Sequence, residues 1–434
     1  MKYFSEMNTR TILLTAILLL CGVCTMSAAD KLKVTVKNPI SADRSGEMVE
    51  VALETVEARL GTTDVIVTDA DGREIPSQQT YDGLLIWQVG VGGNASSVYY
   101  IKKGSPSTTY ENKVFGRKFP ERVDDMAWEN DLVAFRCYGP QLQKNGERAF
   151  GYDIWNKRTD KLVVEERYAS ELNAETAAQI AALRAEGKND EADDLYNSVS
   201  YHVDHGTGMD CYKVGPTLGA GATALLTYDT KEIIYPYCYE SCEVLDNGPL
   251  RFTVKLVYEK KDYNYGEGIA SETAQETRII SLDAGSQLNC VRVSYEGLSR
   301  TVPAAVGIVV HPENPNAFIL SQEKGYMGYE DLGDPNQYKE KYRATQNADF
   351  GKIYVGAVFK DSTTGMEYRA LEGVGGTSGH ILGLTEVAPG CQLTYYFGSG
   401  WSRNPATSFS SLTDWEAYLS GFSQQVKSPL EIIL

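Results

Sequence analysis

Two of the chain's four histidines, His202 and His205, stand three residues apart in the segment Tyr201 to Gly221 (YHVDHGTGMDCYKVGPTLGAG), together with two aspartates, two tyrosines and a run of glycines. No other stretch sets two histidines so close together, so the segment reads as the floor of a cleft. Imidazole titrates near working pH. One of the pair then serves as a general base or acid, with Tyr201 or Tyr212 supplying the complementary proton and Asp210 an adjacent carboxylate. Two other readings stay open. The histidines can be structural, hydrogen-bonded beneath the glycine loop. With Asp204 or Asp210 they can also bind a divalent metal, but the helical H-E-x-x-H pattern is absent and a spacing of three is weak, so no metal or other cofactor is expected.

A substrate for such groups is suggested by two further segments. In Trp128 to Pro140, period two puts Val133, Phe135 and Cys137 on one face and Leu132, Ala134, Arg136 and Tyr138 on the other. A guanidinium pairs bidentately with a uronate carboxylate, so this second face suits an acidic sugar; an outward strand surface with a salt bridge is the plainer alternative. In Gly151 to Lys157, Asp153, Trp155 and Lys157 share a face opposite Ile154. A Trp ring offers an apolar platform to a pyranose while Asp and Lys fix its hydroxyls. His311, at a strand end before Pro312, and Trp401, in a loop after a strand, are further candidates for the same cleft, as is Glu129; Trp415 reads as core. A His and Tyr beside an Arg suit β-elimination of a uronide: Arg136 neutralises the carboxylate, His202 takes the C5 proton, and Tyr212 or Tyr201 protonates the leaving oxygen. With Asp210 or Glu129 the same groups suit hydrolysis or epimerisation, and binding without turnover is a further reading.

The elements that must position these groups are mostly strands. Tyr (28) and Gly (40) are abundant, and alternating apolar segments recur between turn clusters. In Arg251 to Tyr258, Phe252, Val254, Leu256 and Tyr258 fall on one face, the pattern of an antiparallel sheet with one wet side. The fold expected is mostly β, a large antiparallel sandwich. Residues 30–110 read as a small N-terminal β unit, with a linker in the Ser, Thr, Gly and Pro-rich stretch 103–113. Residues 111–434 read as the large unit, interrupted by a helical insertion at 173–197 that Gly187 breaks in two. Gly215, Gly219 and Gly221 do not match a dinucleotide fingerprint; a tight bend or close backbone approach explains them better. Ser411 to Phe422 reads as a short amphipathic helix with Leu412, Trp415 and Leu419 on its packed side.

Residues 1–29 read as an export signal: Lys2 and Arg10 precede the apolar run Ile12 to Cys21, and Ser27-Ala28-Ala29 offers small residues for cleavage. The mature chain is therefore expected in a periplasm or secreted, with no membrane span; lipid attachment at Cys21 or Cys24 is less favoured. The full sequence's net charge of −17, about −18 once Lys2, Glu6 and Arg10 leave with the signal, argues against a broad interface with nucleic acid or an anionic membrane and leaves an acidic oligosaccharide or polysaccharide, held by local Arg or Lys, as the expected partner. Cys238 and Cys242 have no second pair to complete a zinc site, and Cys137 and Cys290 lie in alternating apolar strands as expected for buried thiols.

At four motifs the chain resembles a family of secreted bacterial proteins, domain of unknown function 4861 (DUF4861): FPERVDDMAWENDLVAFRCYGP from Phe119, GYDIWNK from Gly151, YHVDHGTGMDCYKVG from Tyr201 and FGSGWS from Phe397. The resemblance runs from Asn38-Pro39 to the helix around Trp415. It implies a β-sandwich similar to the galactose-mutarotase supersandwich and an association with the breakdown of pectin-like or other uronic-acid glycans. It brings no settled catalytic residue.

Overall fold

The computed structural model describes residues 30–333, 350–374, 376–407 and 409–434; the expected export signal lies outside the described residues. The N-terminal part is a small sandwich. One antiparallel sheet runs in the order Glu431–Ile433, Lys31–Lys37, Ser96–Lys103, Val65–Asp69, Glu74–Ile75, and the other in the order Arg44–Ala52, Leu84–Val91, Ser77–Gln79. Val34, Val36, Val49, Val51, Trp87 and Ile101 fill the space between them. The helix Leu53–Leu60 closes one end by burying Val56 and Leu60 and stops at Gly61 in the left-handed region. The last strand pairs Thr35 with Ile433, so the end of the chain returns to the small sheet although sequence alone groups it with the large unit.

The large part is a supersandwich. One layer is a nine-stranded antiparallel sheet in the order Tyr239–Asn247, Arg251–Tyr258, Glu272–Asp283, Leu288–Glu296, Gln392–Trp401, Lys352–Phe359, Tyr326–Leu332, Phe318–Ser321, with Lys261–Tyr263 pairing beside it. Facing it lie two five-stranded sheets. The first runs Gly208–Asp210, Tyr152–Lys157, Ala134–Cys137, Asp125–Asn130, Val114–Phe119, and the second Ile233–Ile234, Ala220–Leu226, Val302–Val310, Gly379–Val387, Gly365–Ala370. The expected alternation holds in Arg251–Tyr258, where Phe252, Val254, Leu256 and Tyr258 are all buried. Aromatic contacts lock the layers together: Trp128 stacks on Phe252 at 6.4 Å and Tyr152 on Phe397 at 4.3 Å.

The two facing sheets meet at a bridge between Tyr152 and Gly219. Gly219 has φ +56°, and a Cβ there would lie 2.4 Å from the Tyr152 carbonyl oxygen. This glycine is therefore explained by backbone against backbone at a sheet junction.

The helical insertion forms two helices, Ala174–Ala185 and Asn189–Val199, parted at Gly187. The amphipathic C-terminal segment forms a helix, Leu412–Lys427, capped by Ser411. It lays Trp415 and Leu419 on the outer face of the nine-stranded sheet, and the Trp415 indole donates to the Val355 carbonyl at 3.0 Å.

Candidate functional site

The sheet that carries Arg136 and Trp155 is buried on both faces. Trp128, Phe135, Ile154 and Met209 enter the main core, while Ala127, Ala134 and Trp155 turn to a second, smaller core with Phe119, Val164, Tyr168 and Tyr201. That second core exists because the helix Val164–Glu171 and the turn beginning at Tyr201 lie across the polar face. The face expected to receive a sugar is thus occupied by the protein's own chain.

Arg136 is the hub beneath this cover. Register sets it opposite Asp153, while Asp210 sits opposite Trp155 on the next strand. Its Nε donates to Asp153 Oδ2 at 2.9 Å, and its terminal nitrogens donate to Asp210 Oδ2 at 2.8 Å, to the Tyr138 hydroxyl at 3.2 Å and to the Tyr201 hydroxyl at 3.4 Å. Asp125 Oδ2 lies 3.7 Å away. The residue is 3% exposed. Arg136, Tyr138, Asp153, Tyr201 and Asp210 therefore converge as the sequence suggested, but as a satisfied interior nest in which no hydrogen-bonding edge of Arg136 is left open to a substrate carboxylate. Burial, followed by the neighbouring charge of Asp210, pushes the Asp153 carboxyl up to about 7 against the pull of Arg136.

Glu129 and Lys157, also read as sugar contacts, do a different task. Lys157 Nζ lies 2.7 Å from Glu129 Oε2, and Glu129 Oε1 accepts the backbone N–H groups of Val163 and Val164, each at 2.7 Å. A carboxylate from a distant strand thus satisfies donors at the start of the covering helix. Burial lowers the Lys157 pKa, with Glu129 opposing. Neither tryptophan offers a free ring. Trp155 is enclosed by Tyr201 at 4.5 Å and Tyr168 at 4.7 Å. Trp401 is buried, its indole donating to the Phe350 carbonyl at 2.9 Å and Arg403 lying over its ring at 5.2 Å.

The four histidines separate by geometry. His202 Nδ1 lies 3.2 Å from the Asp210 carbonyl oxygen and 3.5 Å from Asp210 Oδ2, and its side chain is 30% exposed. A proton on Nδ1, directed at these acceptors, leaves Nε2 as the base. His205 is exposed, with Nε2 turned to the Ser200 carbonyl at 3.1 Å. His311 is closed in: Nδ1 meets Asp331 Oδ2 at 2.9 Å and Nε2 meets the Lys213 carbonyl at 3.0 Å. Acceptors on both nitrogens favour the imidazolium. Burial opposes that charge, but Asp331 outweighs it and the His311 pKa is raised. His380 is buried and accepts the Leu218 N–H at 3.2 Å on Nε2. Tyr212, a proposed proton donor, is buried edge-on against His311 at 5.8 Å.

Sequence reasoning missed Arg122. It ends the short 3-10 turn Pro120–Arg122, followed by Val123 at φ 47° and Asp124 at φ 67°. Two successive non-glycine residues in the left-handed region, one of them β-branched, are uncommon and tend to mark functional positions. The turn brings Arg122 Nε to the Tyr201 hydroxyl at 3.2 Å while leaving its side chain 25% exposed. The Tyr201 ring in turn lies 4.6 Å from that of His202. A partly open cation and a partly open, oriented imidazole therefore flank one buried phenol. Within the motif from Phe119, the only signal was an Arg beside a proline turn between two strands.

Among the described residues no group of three His, Cys, Asp or Glu side chains is placed to hold a metal ion, and no helix is long and apolar enough to cross a membrane. Cys137 is buried as expected, Cys290 is half-buried, and the described cysteines are all free.

Residues 36–432 match the family model described as domain of unknown function (DUF4861). The chain is 25% identical to the uncharacterized protein P7 of Formosa agariphila, over 94% of this chain and 95% of that protein. Solved structures similar to it include an alpha-mannosidase from Enterococcus faecalis, at 10% identity and a TM-score of 0.44, covering 93% of this chain and 46% of that one. A 4-alpha-glucanotransferase from Thermococcus litoralis follows at 13% identity and a TM-score of 0.27, covering 68% of this chain and 40% of that one. The chain thus spans less than half the length of these two enzymes. It belongs to the DUF4861 family.

Proposed function

We propose that this DUF4861 member is an exported protein acting on uronic-acid-containing, pectin-like oligosaccharides by β-elimination at the open edge of His202. One observation carries the reading: of the four histidines, His202 alone combines a ring nitrogen oriented by a carboxylate residue with an edge that solvent reaches. Arg122, rather than the enclosed Arg136, is the guanidinium beside it that an incoming carboxylate can meet.

In this reading the uronate carboxylate sits against Arg122, which makes the C5 hydrogen more acidic. His202 Nε2 takes that proton, the released electron pair forms the C4–C5 double bond, and the C4–O bond breaks. Tyr201 keeps its proton to about pH 12 because burial raises its pKa against the pull of Arg136. Its hydroxyl accepts from two guanidiniums and helps hold Arg122 in place. With both tyrosines buried, the imidazolium formed on His202 returns its proton to the leaving oxygen where the C5 hydrogen and the C4 oxygen lie on one face, as in a glucuronate; in a galacturonate they lie on opposite faces and the leaving oxygen takes its proton from solvent.

A second reading is favoured by the burial of Arg136, Asp153, Glu129 and Lys157: a glycan-binding protein whose rim around His202 and Arg122 holds acidic sugars without turnover. Incubation of the purified mature protein with acidic oligosaccharides, followed by ultraviolet absorbance for an unsaturated uronate and by mass spectrometry, separates the two. An unsaturated product supports elimination, and affinity without product supports the binding protein. A saturated product with added water, or an epimer of unchanged mass, would replace both by hydrolysis or epimerisation.

A further inference from the structure

On the reading of His202 as the base, we propose that Glu171 is its positioning residue: a carboxylate at the end of the covering helix that fixes the turn carrying the imidazole and ties off the helical insertion at its foot. The role rests on that reading and adds what holds the base in place.

The chain leaves the covering helix at Glu171, runs out through Ala174–Ala185 and Asn189–Val199, and comes back at Ser200, 29 residues later. The first of these two helices buries none of its residues, so the excursion alone gives the turn that follows it little support. Glu171 joins the two ends. Its Oε2 accepts the Ser200 hydroxyl at 2.8 Å and the Tyr201 N–H at 3.0 Å, and its Oε1 accepts the Tyr196 hydroxyl, from the last turn of the second helix, at 3.4 Å. Ser200 passes the constraint on. It is fully buried, and with its one hydroxyl hydrogen given to Glu171 its Oγ is left as an acceptor, which the His202 N–H meets at 3.3 Å. The Ser200 carbonyl in turn accepts the Val203 N–H and faces His205 Nε2, each at 3.1 Å. The N–H groups of Tyr201 and His202 are thus held, directly or through one hydroxyl, by a single carboxylate. These two residues carry the phenol that braces Arg122 and the ring whose Nδ1 meets the Asp210 carbonyl at 3.2 Å. A displacement on the order of 1 Å at a reacting group can lower its rate by about 10²-fold. Position and charge are separable here. Both the Ser200 and Tyr201 hydrogens point at the same oxygen of Glu171, and a glutamine amide oxygen can accept two, while its NH2 can donate to the Tyr196 oxygen.

The test measures kcat and KM of the mature protein on an acidic oligosaccharide, per folded molecule, together with the tautomer of the neutral His202 ring by nitrogen NMR, its signals identified by their loss in His202→Ala. The native ring is expected to carry its proton on Nδ1; a proton on Nε2 overturns the proposal. Glu171→Ala should lower kcat by about 10- to 100-fold with KM within about twofold, and move the His202 proton from Nδ1 toward Nε2. Glu171→Gln should recover kcat to within about threefold of the native value and restore the Nδ1 proton. A native kcat or a native tautomer in Glu171→Ala overturns the proposal. So does a loss in Glu171→Gln equal to that in Glu171→Ala, since the carboxylate would then act by its charge. Should Glu171→Ala fail to fold, Ser200→Ala, which removes the link to His202 with the loss of one oxygen, takes its place and is read in the same way. If the native protein yields no product, elimination falls, and the tautomer alone decides whether Glu171 holds the turn. Product from the native protein, with Glu171→Ala unchanged in both readouts, removes Glu171 and leaves elimination standing.

Discussion

Arg122 donates its Nε hydrogen to the Tyr201 hydroxyl at 3.2 Å, the same oxygen that Arg136 approaches at 3.4 Å. One guanidinium is thereby kept at the surface while the other is sealed below it. If the surface one receives a uronate, Arg122→Ala should lower kcat/KM on an acidic oligosaccharide by about 10- to 100-fold, a loss of about 1.4 kcal/mol per tenfold. The methyl-esterified substrate, which lacks the charge, should be affected far less. Steady-state kinetics on the two substrates measures the difference, and equal losses on both would remove Arg122 from carboxylate recognition.

Arg136 should behave as a stability residue. Arg136→Met strands Asp153 and Asp210, both buried, and removing one partner of a buried ion pair costs about 3–5 kcal/mol. Urea unfolding should show a midpoint displaced accordingly. Because Asp153 already has a raised pKa, it can relieve the stranded charge by taking up a proton. The penalty should therefore be smaller near pH 5 than near pH 8. A midpoint equal to that of the native protein would contradict the nest described for Arg136.

The bond from Glu129 to the start of the covering helix makes a local prediction. Glu129→Ala removes the acceptor of two backbone N–H groups and leaves Lys157 without its carboxylate. Amide exchange in residues 163–171 should accelerate well beyond that in Arg251–Tyr258, which lies in the large sheet. Unchanged protection over 163–171 would show that the helix is held by its apolar contacts alone.

Much of the fold was legible because alternation along strands such as Arg251–Tyr258 is a local property, and so is the amphipathic pattern around Trp415. The polar stripe of Arg136, Asp153 and Lys157 was legible in the same way. Its burial was not, because the cover comes from residues 164–201, and nothing local to Arg136 says which distant segment will lie across it. Trp155 and Trp401 were misread as sugar platforms for that reason: sequence gives a ring and not what already stacks on it. His202 stood out through residue type and spacing. Arg122 did not, since its placement depends on the left-handed backbone at Val123 and Asp124.

His380 sets an acid limb to stability. Burial, aided by Arg369 and His311, lowers its pKa to about 4, and its Nε2 must stay unprotonated to accept from Leu218. The unfolded chain binds this proton near pH 6.5 and the folded one does not until about pH 4. The contribution is therefore present above about pH 6.5 and lost as pH falls to about 4, on the order of 3 kcal/mol. Unfolding free energy measured from pH 7 to 4 should fall less steeply for His380→Gln than for the native protein. Parallel slopes would show that His380 titrates normally in the fold.

The most direct measurement compares native protein and His202→Ala on an acidic oligosaccharide, with ultraviolet absorbance of the unsaturated product and the melting temperature recorded on the same preparations. The account predicts product from the native protein, a loss on the order of 10²–10⁴ in rate for the variant, and almost unchanged melting temperatures. A variant that turns over as fast as the native protein would contradict it.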